Sequence, residues 1–315
     1  MSKFHIKKIT EIDNNKLLNF YQKSFNYEKL VLDNFKWRYR SNFSDYEPLV
    51  LLENNEICGH AGLIPVDLKI NNKIEKSIWF TDLFIEKKYR YRGFGQLLTK
   101  EWMKICPTQI TMCNDQSLKV FKKFNWSSNN NFVRKINFFN FVNILPFFRK
   151  NKNSDILRNN LGNLKLEEIN NQTLNKIINE EEKNLSKRNL GIVRDQQWFD
   201  WRINKCPYKK DIYIFSYNDL YLIVHIRIKN NLKILNLVYS TKDINGNLIK
   251  LLLSFAKENK IDYLSYISKK KFINFNFPWE RKLNFAFYSV NDSTKKLLNK
   301  NLQDIQYIDS DLDYI

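Results

Sequence analysis

A short pattern that occurs twice sets the strongest limit on how this chain can fold. Phe35-Lys36-Trp37-Arg38 and Phe199-Asp200-Trp201-Arg202 both read F-x-W-R. Each is followed by two apolar runs around a turn: residues 49–52 and 57–63 flank Asn54-Asn55, and residues 212–216 and 220–228 flank Asn218-Asp219. Asn and Asp tolerate the positive φ of tight hairpin turns, so both segments are expected to be β-hairpins. Two copies at one long spacing are too few for a solenoid and predict a duplicated domain. A length of 315 residues suits two domains of ordinary size. The polar stretch at residues 149–154 is the expected boundary, dividing the chain into 1–150 and 151–315.

Charge narrows the partners. The formal net charge is +19, but the basic residues are spread along the chain, with only short runs such as Lys269-Lys270-Lys271. Lys, Asn, Ile, Phe and Tyr are abundant together, as A/T-rich coding would make them. An anionic cofactor or substrate fits the charge as well as nucleic acid does, and no specific nucleic-acid site is expected. Cys58, Cys106, Cys113 and Cys206 form no C-x-x-C pair and have no His at metal spacing, so buried free thiols and no metal are expected. The start of the sequence has no apolar stretch like a signal peptide. The most apolar window, residues 138–148, is too short to span a bilayer. The expectation is a cytoplasmic protein without a membrane span.

The chemistry concentrates after an extended stretch, residues 66–84, that turns at Asn71-Asn72. Thr81-Asp82-Leu83-Phe84-Ile85 ends that stretch, and an amphipathic helix is predicted over 96–105. The connection reads Arg90-Tyr91-Arg92-Gly93-Phe94-Gly95. Glycines let backbone N–H groups approach a pyrophosphate closely, and a helix N-terminus adds favourable partial charge. Arg90 and Arg92 add charge-assisted donors. A strand at 109–113 and a helix at 116–124 follow. Together with early helices over 14–25 and 27–38, this order predicts an α/β (α+β) fold in which helices flank a mixed, mostly antiparallel sheet.

The segment resembles the acyl-CoA motif [QR]-x-x-G-x-[GA] of the GNAT superfamily of N-acetyltransferases, here Arg90-x-x-Gly93-x-Gly95. A second stretch, Cys113-Asn114-Asp115-Gln116-Ser117 through Trp126, is similar to the segment that follows it in the family. The resemblance implies two tandem GNAT-like domains using acetyl-CoA or another acyl-CoA as co-substrate. It implies cofactor contacts at Leu83, Phe84, Ile85, Arg90, Tyr91, Arg92, Gly93, Phe94, Gly95, Asn114 and Ser117. Phe121 stands where many members have a Tyr that protonates the departing thiolate, so that general acid is absent or replaced.

In the family a substrate amine attacks the thioester carbon directly, while backbone N–H groups of the splayed strand face the carbonyl oxygen. Asp82 is then the candidate base or amine-orienting group, with a strand-end residue bonding a loop as the alternative. Trp37, Arg38 and His60 are candidates for the acceptor wall; core packing is the alternative for each. In the second copy, residues 235–239 and 248–256 are the matching strand and helix. The loop between them keeps Gly246, has no arginine and carries Asp243. A degenerate domain without a pyrophosphate loop is expected. The implied function is N-acetyl transfer to a small amine, such as a nucleotide-linked amino sugar of surface-polysaccharide synthesis. A tRNA-dependent aminoacyl-transferase of cell-wall synthesis and a non-catalytic acyl-CoA scaffold are the alternatives.

Overall fold

The computed structural model of the protein describes residues 4–25, 35–39, 46–139, 156, 164–269, 279–301 and 305–309. The expected boundary at 149–154, most of the apolar window at 138–148, Lys270 and Lys271, and residues 27–34 of the second early helix lie outside them.

Two compact units are present. Unit 1 comprises residues 1–129, 189–193 and 284–302; unit 2 comprises 130–188, 194–283 and 303–315. A single cut at residue 150 does not separate them, and the reason lies in the strands.

Unit 1 begins with strand β1 (Phe4–Lys8), helix α1 (Asn14–Ser24) and a single helical turn, α2 (Phe35–Arg38). Strands β2 (Leu49–Glu53), β3 (Glu56–Ile70) and β4 (Lys73–Ile85) form a meander. Its turns place Asn54, Asn55 and Asn71 at φ of 49°, 68° and 54°, the geometry expected of Asn in tight turns. Helix α3 (Phe94–Met103), β5 (Thr108–Cys113) and α4 (Asp115–Lys122) follow. The sheet runs β1-β2-β3-β4-β5, with only β4 and β5 parallel. A short strand, β8 (Leu190–Val193), lines the far half of β3.

The next position in this sheet is filled from the far end of the chain. Asn284 to Ser289 of β13 (Trp279–Ser289) pair antiparallel with all of β5. Conversely, β6 (Ser127–Phe138) leaves the first half and pairs with β12 (Tyr263–Lys269) of unit 2. Unit 2 otherwise repeats the plan of unit 1. Its sheet runs β7 (Lys165–Glu167), β9 (Ile212–Tyr217), β10 (Leu220–Lys229), β11 (Leu232–Ser240), β12 and β6, with only β11 and β12 parallel. Backbone ladders do not depend on sequence, so equivalent strands of two similar halves can be exchanged.

Helix spacing explains the packing. Phe94, Leu98 and Trp102 of α3 recur every four residues and are buried over Leu51, Leu63, Ile78 and Phe80. Burial of side chains of this size contributes roughly 1.5–3 kcal/mol each. On the opposite face, Leu17, Phe20 and Tyr21 of α1 pack with Tyr39, Val50 and Leu52. In unit 2, α5 (Asn171–Ser186) is capped by Asn170, α6 (Gln196–Phe199) by Asp195, and α7 (Gly246–Glu258) by Asn245. The second F-x-W-R copy is wholly core-forming, with Phe199, Trp201 and Arg202 all buried. Helix α8 (Asp292–Asn301) closes unit 1.

Candidate active site

The parallel ladder between β4 and β5 covers only Ile78–Gln109 and Trp79–Ile110, although the strands continue to Ile85 and Cys113. A hydrogen bond from Thr111 Oγ1 to the Phe80 carbonyl, 2.7 Å, closes the apex. Beyond it the strands diverge, and the β5-facing edge of Leu83, Phe84 and Ile85 has no ladder partner among the described residues. All three side chains are half-buried.

Within this free edge the register against β3 shifts: Gly62 pairs with Thr81, but His60 pairs with Phe84. Two residues of β4, Asp82 and Leu83, thus oppose the single residue Ala61, which is a β-bulge. Asp82 has φ 51°. The bulge resets the alternation of side chains: Ile78 and Phe80 face α3, and past Asp82 that role passes to Leu83 and Ile85. Phe84 faces α1.

At the end of β4 the chain makes a short 3-10 turn, Lys87–Tyr89, and enters the glycine loop. Arg90, Tyr91, Arg92 and Gly93 are exposed, with Tyr91 at φ 64° and Gly93 at φ 80°. Gly93 is the N-cap of α3 and has no side chain with which to cap it. The N–H groups of the first turn, Phe94, Gly95 and Gln96, therefore point outward unsatisfied by the helix, whereas Asp13, Asn114, Asn170, Asp195 and Asn245 cap theirs with side chains. Arg90 is steadied through Nε on the Ile85 carbonyl, 3.0 Å. Arg92 lies over the rings of Phe4, Tyr89 and Phe94, with its Nη1 3.8 Å from Glu53. Backbone donors, a helix N-terminus and two guanidinium groups thus meet next to the open strand edge, the arrangement a pyrophosphate requires.

The other expected residues fall into three settings. Asn114 caps α4, accepting from the Ser117 N–H at 2.9 Å at the mouth of β5. Phe121 is buried, stacked on Trp126 with centroids 4.7 Å apart and tilted against Phe80 at 5.2 Å. Trp37 is half-buried beside Arg38.

Arg38, Asp82 and His60 belong to one buried network. Arg38 donates to Asp82 through Nε and Nη2, at 3.0 and 3.2 Å, and the Tyr39 hydroxyl donates to the same carboxylate at 2.8 Å. Asp82, expected as a base or amine-orienting group, has its carboxylate lone pairs engaged by α2 and its neighbour. That setting suits anchoring the strand better than taking a proton. Arg38, expected to hold a substrate anion, holds a protein carboxylate instead. His60 is fully buried among Phe20, Tyr21, Phe25 and Tyr39, not in an open acceptor wall. Its Nδ1 lies 3.1 Å from the Asp82 carbonyl and its Nε2 3.0 Å from the Tyr21 hydroxyl. Burial pulls its pKa down to about 4, overcoming the opposing pull of Asp82.

Sequence reasoning missed Tyr21, Tyr39, Gly59 and Gly62. The glycines carried a signal, since a glycine inside a strand marks a close approach. A Cβ on Gly59 would come within 2.7 Å of Ile85 Cδ1, and one on Gly62 within 2.7 Å of the Tyr39 ring.

Unit 2 has a matching opening that is filled. Its parallel strands β11 and β12 pair only from Ile234–Tyr263 to Asn236–Ser265. Across the gap lies the segment ending in a 3-10 turn, Tyr307–Asp309. Gln306 binds the strand edge as a backbone amide would, accepting from the Ser240 N–H at 2.7 Å and donating to the Ser240 carbonyl at 3.1 Å. The Tyr307 hydroxyl meets Ser265 Oγ of β12 at 2.7 Å. Asp309 locks the segment through a buried two-pronged pair with Arg194, at 2.6 and 2.7 Å. Arg194 also binds Glu181, which accepts from the Tyr239 hydroxyl.

A splayed parallel pair, a bulged strand and an uncapped glycine loop characterise the α/β fold of unit 1, and the chain shares its fold with known proteins. Residues 14–126 match the model of the Acetyltransferase (GNAT) family. The whole fold is shared with solved structures of low identity. A GCN5-related N-acetyltransferase from Anabaena variabilis aligns with a TM-score of 0.61 and 12% identity, covering 94% of this chain and 74% of its own. The Saccharomyces cerevisiae N-myristoyltransferase, solved with bound myristoyl-CoA, aligns with a TM-score of 0.57 and 13% identity, covering 91% and 83%. In sequence, 147 residues are 29% identical to a "putative glycylpeptide N-tetradecanoyltransferase" of Amsacta moorei entomopoxvirus, covering 42% of this chain. The match spans about half, 49%, of that viral relative. Among the described residues no cluster of metal-ligating side chains occurs and no helix is long and apolar enough to cross a membrane.

Proposed function

We propose that this chain is an acyl-CoA-dependent acyltransferase that passes an acyl group to an amine, with the acyl-CoA held by unit 1. The observation that carries this reading is the adjacency of the free edge of Leu83–Ile85 to the uncapped α3 N-terminus and its two arginines. The pyrophosphate binds Arg90, Tyr91, Arg92, Gly93, Phe94 and Gly95, and the pantetheine arm extends along β4. Asn114 and Ser117 shape the far wall. A neutral amine attacks the thioester carbon while a bulge N–H stabilises the developing oxyanion; the C–S bond breaks as the C–N bond forms, and the proton shed by nitrogen passes to solvent. Phe121 carries no proton to donate, so the thiolate leaves without help from that position. Unit 2 takes no cofactor, because Asp243 replaces arginine in its loop and Gln306 occupies its strand edge.

Two acceptor classes fit. One is a small-molecule amine, such as a nucleotide-linked amino sugar. The other is a glycyl peptide N-terminus receiving a long acyl chain, favoured by the viral relative and the yeast enzyme's fold. Neither a tRNA-dependent reaction nor a non-catalytic scaffold draws on a specific feature of the site.

Calorimetric titration with acetyl-CoA and myristoyl-CoA tests the cofactor, using an Arg90→Glu, Gly95→Trp double variant as control. Saturable binding that the variant loses supports the reading, and native protein that binds neither thioester ends it. Thiol release with an amino-sugar nucleotide and with a glycyl peptide then separates the acceptors.

A further inference from the structure

The acyltransferase reading leaves open what holds the strained bulge in the orientation that the chemistry needs. We propose that His60 is a positioning residue: by holding the Asp82 carbonyl, it aims the Leu83 N–H into the β4/β5 opening, where a thioester oxygen gathers charge. This proposal rests on the reading above.

His60 is buried in a ring cage and is neutral at physiological pH, so it has one N–H and one lone pair. A carbonyl oxygen can only accept, so the proton sits on Nδ1, 3.1 Å from the Asp82 oxygen. Nε2 is then the acceptor, and the Tyr21 hydroxyl donates to it at 3.0 Å. Burial raises the Tyr21 pKa, which keeps that proton in place. The groups facing the imidazole are Tyr21 from α1, Arg38 and Tyr39 at α2, and Asp82 from β4.

Backbone geometry carries the effect across. In a trans peptide the C=O of Asp82 and the N–H of Leu83 point in opposite directions. A carbonyl turned to His60 on β3 sends that N–H away from β3, toward the edge that β5 has left open. Left-handed geometry at a non-glycine residue costs on the order of 1–2 kcal/mol, and Asp82 is held there twice. Arg38 and Tyr39 fix its carboxylate and His60 fixes its carbonyl. Without the imidazole the Asp82 carbonyl loses this hold, and the Leu83 donor loses its aim while the distant pyrophosphate loop is untouched.

The test compares native protein with His60→Ala, His60→Asn and Tyr21→Phe. The amide of Asn replaces the Nδ1 donor but not the link to Tyr21. Three readouts are used: CoA affinity, turnover with the better of the two acceptors above, and the infrared carbonyl band of bound carbon-13 acetyl-CoA. Expected for His60→Ala is CoA affinity within about threefold of native, with turnover down ~100-fold, the size of a lost oxyanion donor. The carbonyl band should revert toward its unbound position, and His60→Asn should recover part of both losses. A folded His60→Ala protein with native turnover and a native band overturns the proposal. Should His60→Ala fail to fold, nitrogen-15 spectra of the native protein decide. The chain has only three histidines, and a His60 ring protonated at Nε2, or charged at neutral pH, overturns it equally. Native protein that binds no acyl-CoA removes the acyltransferase reading and this proposal with it. That outcome is recognised by absent binding, not by slowed transfer.

Discussion

The side-chain amide of Gln306 hydrogen-bonds both the N–H and the C=O of Ser240, so a residue near the end of the sequence completes the strand edge that unit 2 would otherwise leave open. In unit 1 the corresponding edge, at Leu83 to Ile85, has no such occupant among the described residues. Two similar sheets thus carry openings in opposite states.

Stoichiometry follows from this contrast. Calorimetry should give one acyl-CoA per chain. A value near two would show that the Gln306 segment yields to the cofactor and that unit 2 is a second site.

The anchor of that segment should be costly to break. Arg194, Glu181 and Asp309 are fully or almost fully buried, and both carboxylates pair with Arg194. Removing one partner leaves an uncompensated buried charge, so Asp309→Ala should lower stability by about 3–5 kcal/mol in urea unfolding. The exposed pair between Glu101 and Lys104 is a control, since Glu101→Gln should change stability by less than about 1 kcal/mol.

Gly59 and Gly62 should respond differently to alanine. At Gly59 the nearest obstacles are the ends of the Ile85 and Leu98 side chains, which can turn aside. At Gly62 they are the Tyr39 and His60 rings and the Thr81 carbonyl, which cannot move as easily. Gly62→Ala should cost about 1–3 kcal/mol and, by displacing Tyr39 from Asp82, slow transfer. Gly59→Ala should cost less. Parallel unfolding and turnover measurements decide it.

His60 makes stability depend on pH. Its pKa falls from 6.5 to about 4 on folding, so between those values the unfolded chain binds the extra proton. Stability from this group is therefore full above pH 6.5 and is lost as pH falls toward 4, with a total of about 3 kcal/mol. Urea midpoints of native protein and His60→Asn should converge as pH is lowered through this window. A constant gap would contradict it.

Local rules made much of unit 1 legible. The Asn turns, the α3 periodicity, the paired glycines and Asn114 before α4 each depend on residues close in sequence, and the structure places them where that chemistry dictates. Asp82 shows the limit. As a carboxylate beside the glycine loop it reads as a base, yet its partners Arg38 and Tyr39 lie 44 and 43 residues away. The spacing of a sequence holds no record of such a pairing.

By itself the sequence determined the hairpin turns and the glycine loop that opens α3, because propensity, periodicity and turn chemistry act over a few residues. Tertiary structure alone decided that β6 and β13 change places between the units, since a ladder hydrogen bond accepts any backbone as partner. Tertiary structure also decided which strand edge stays open and which is filled by Gln306. That choice depends on where a distant segment packs, and the buried charges of Arg194, Glu181 and Asp309 set it only once the chain has folded.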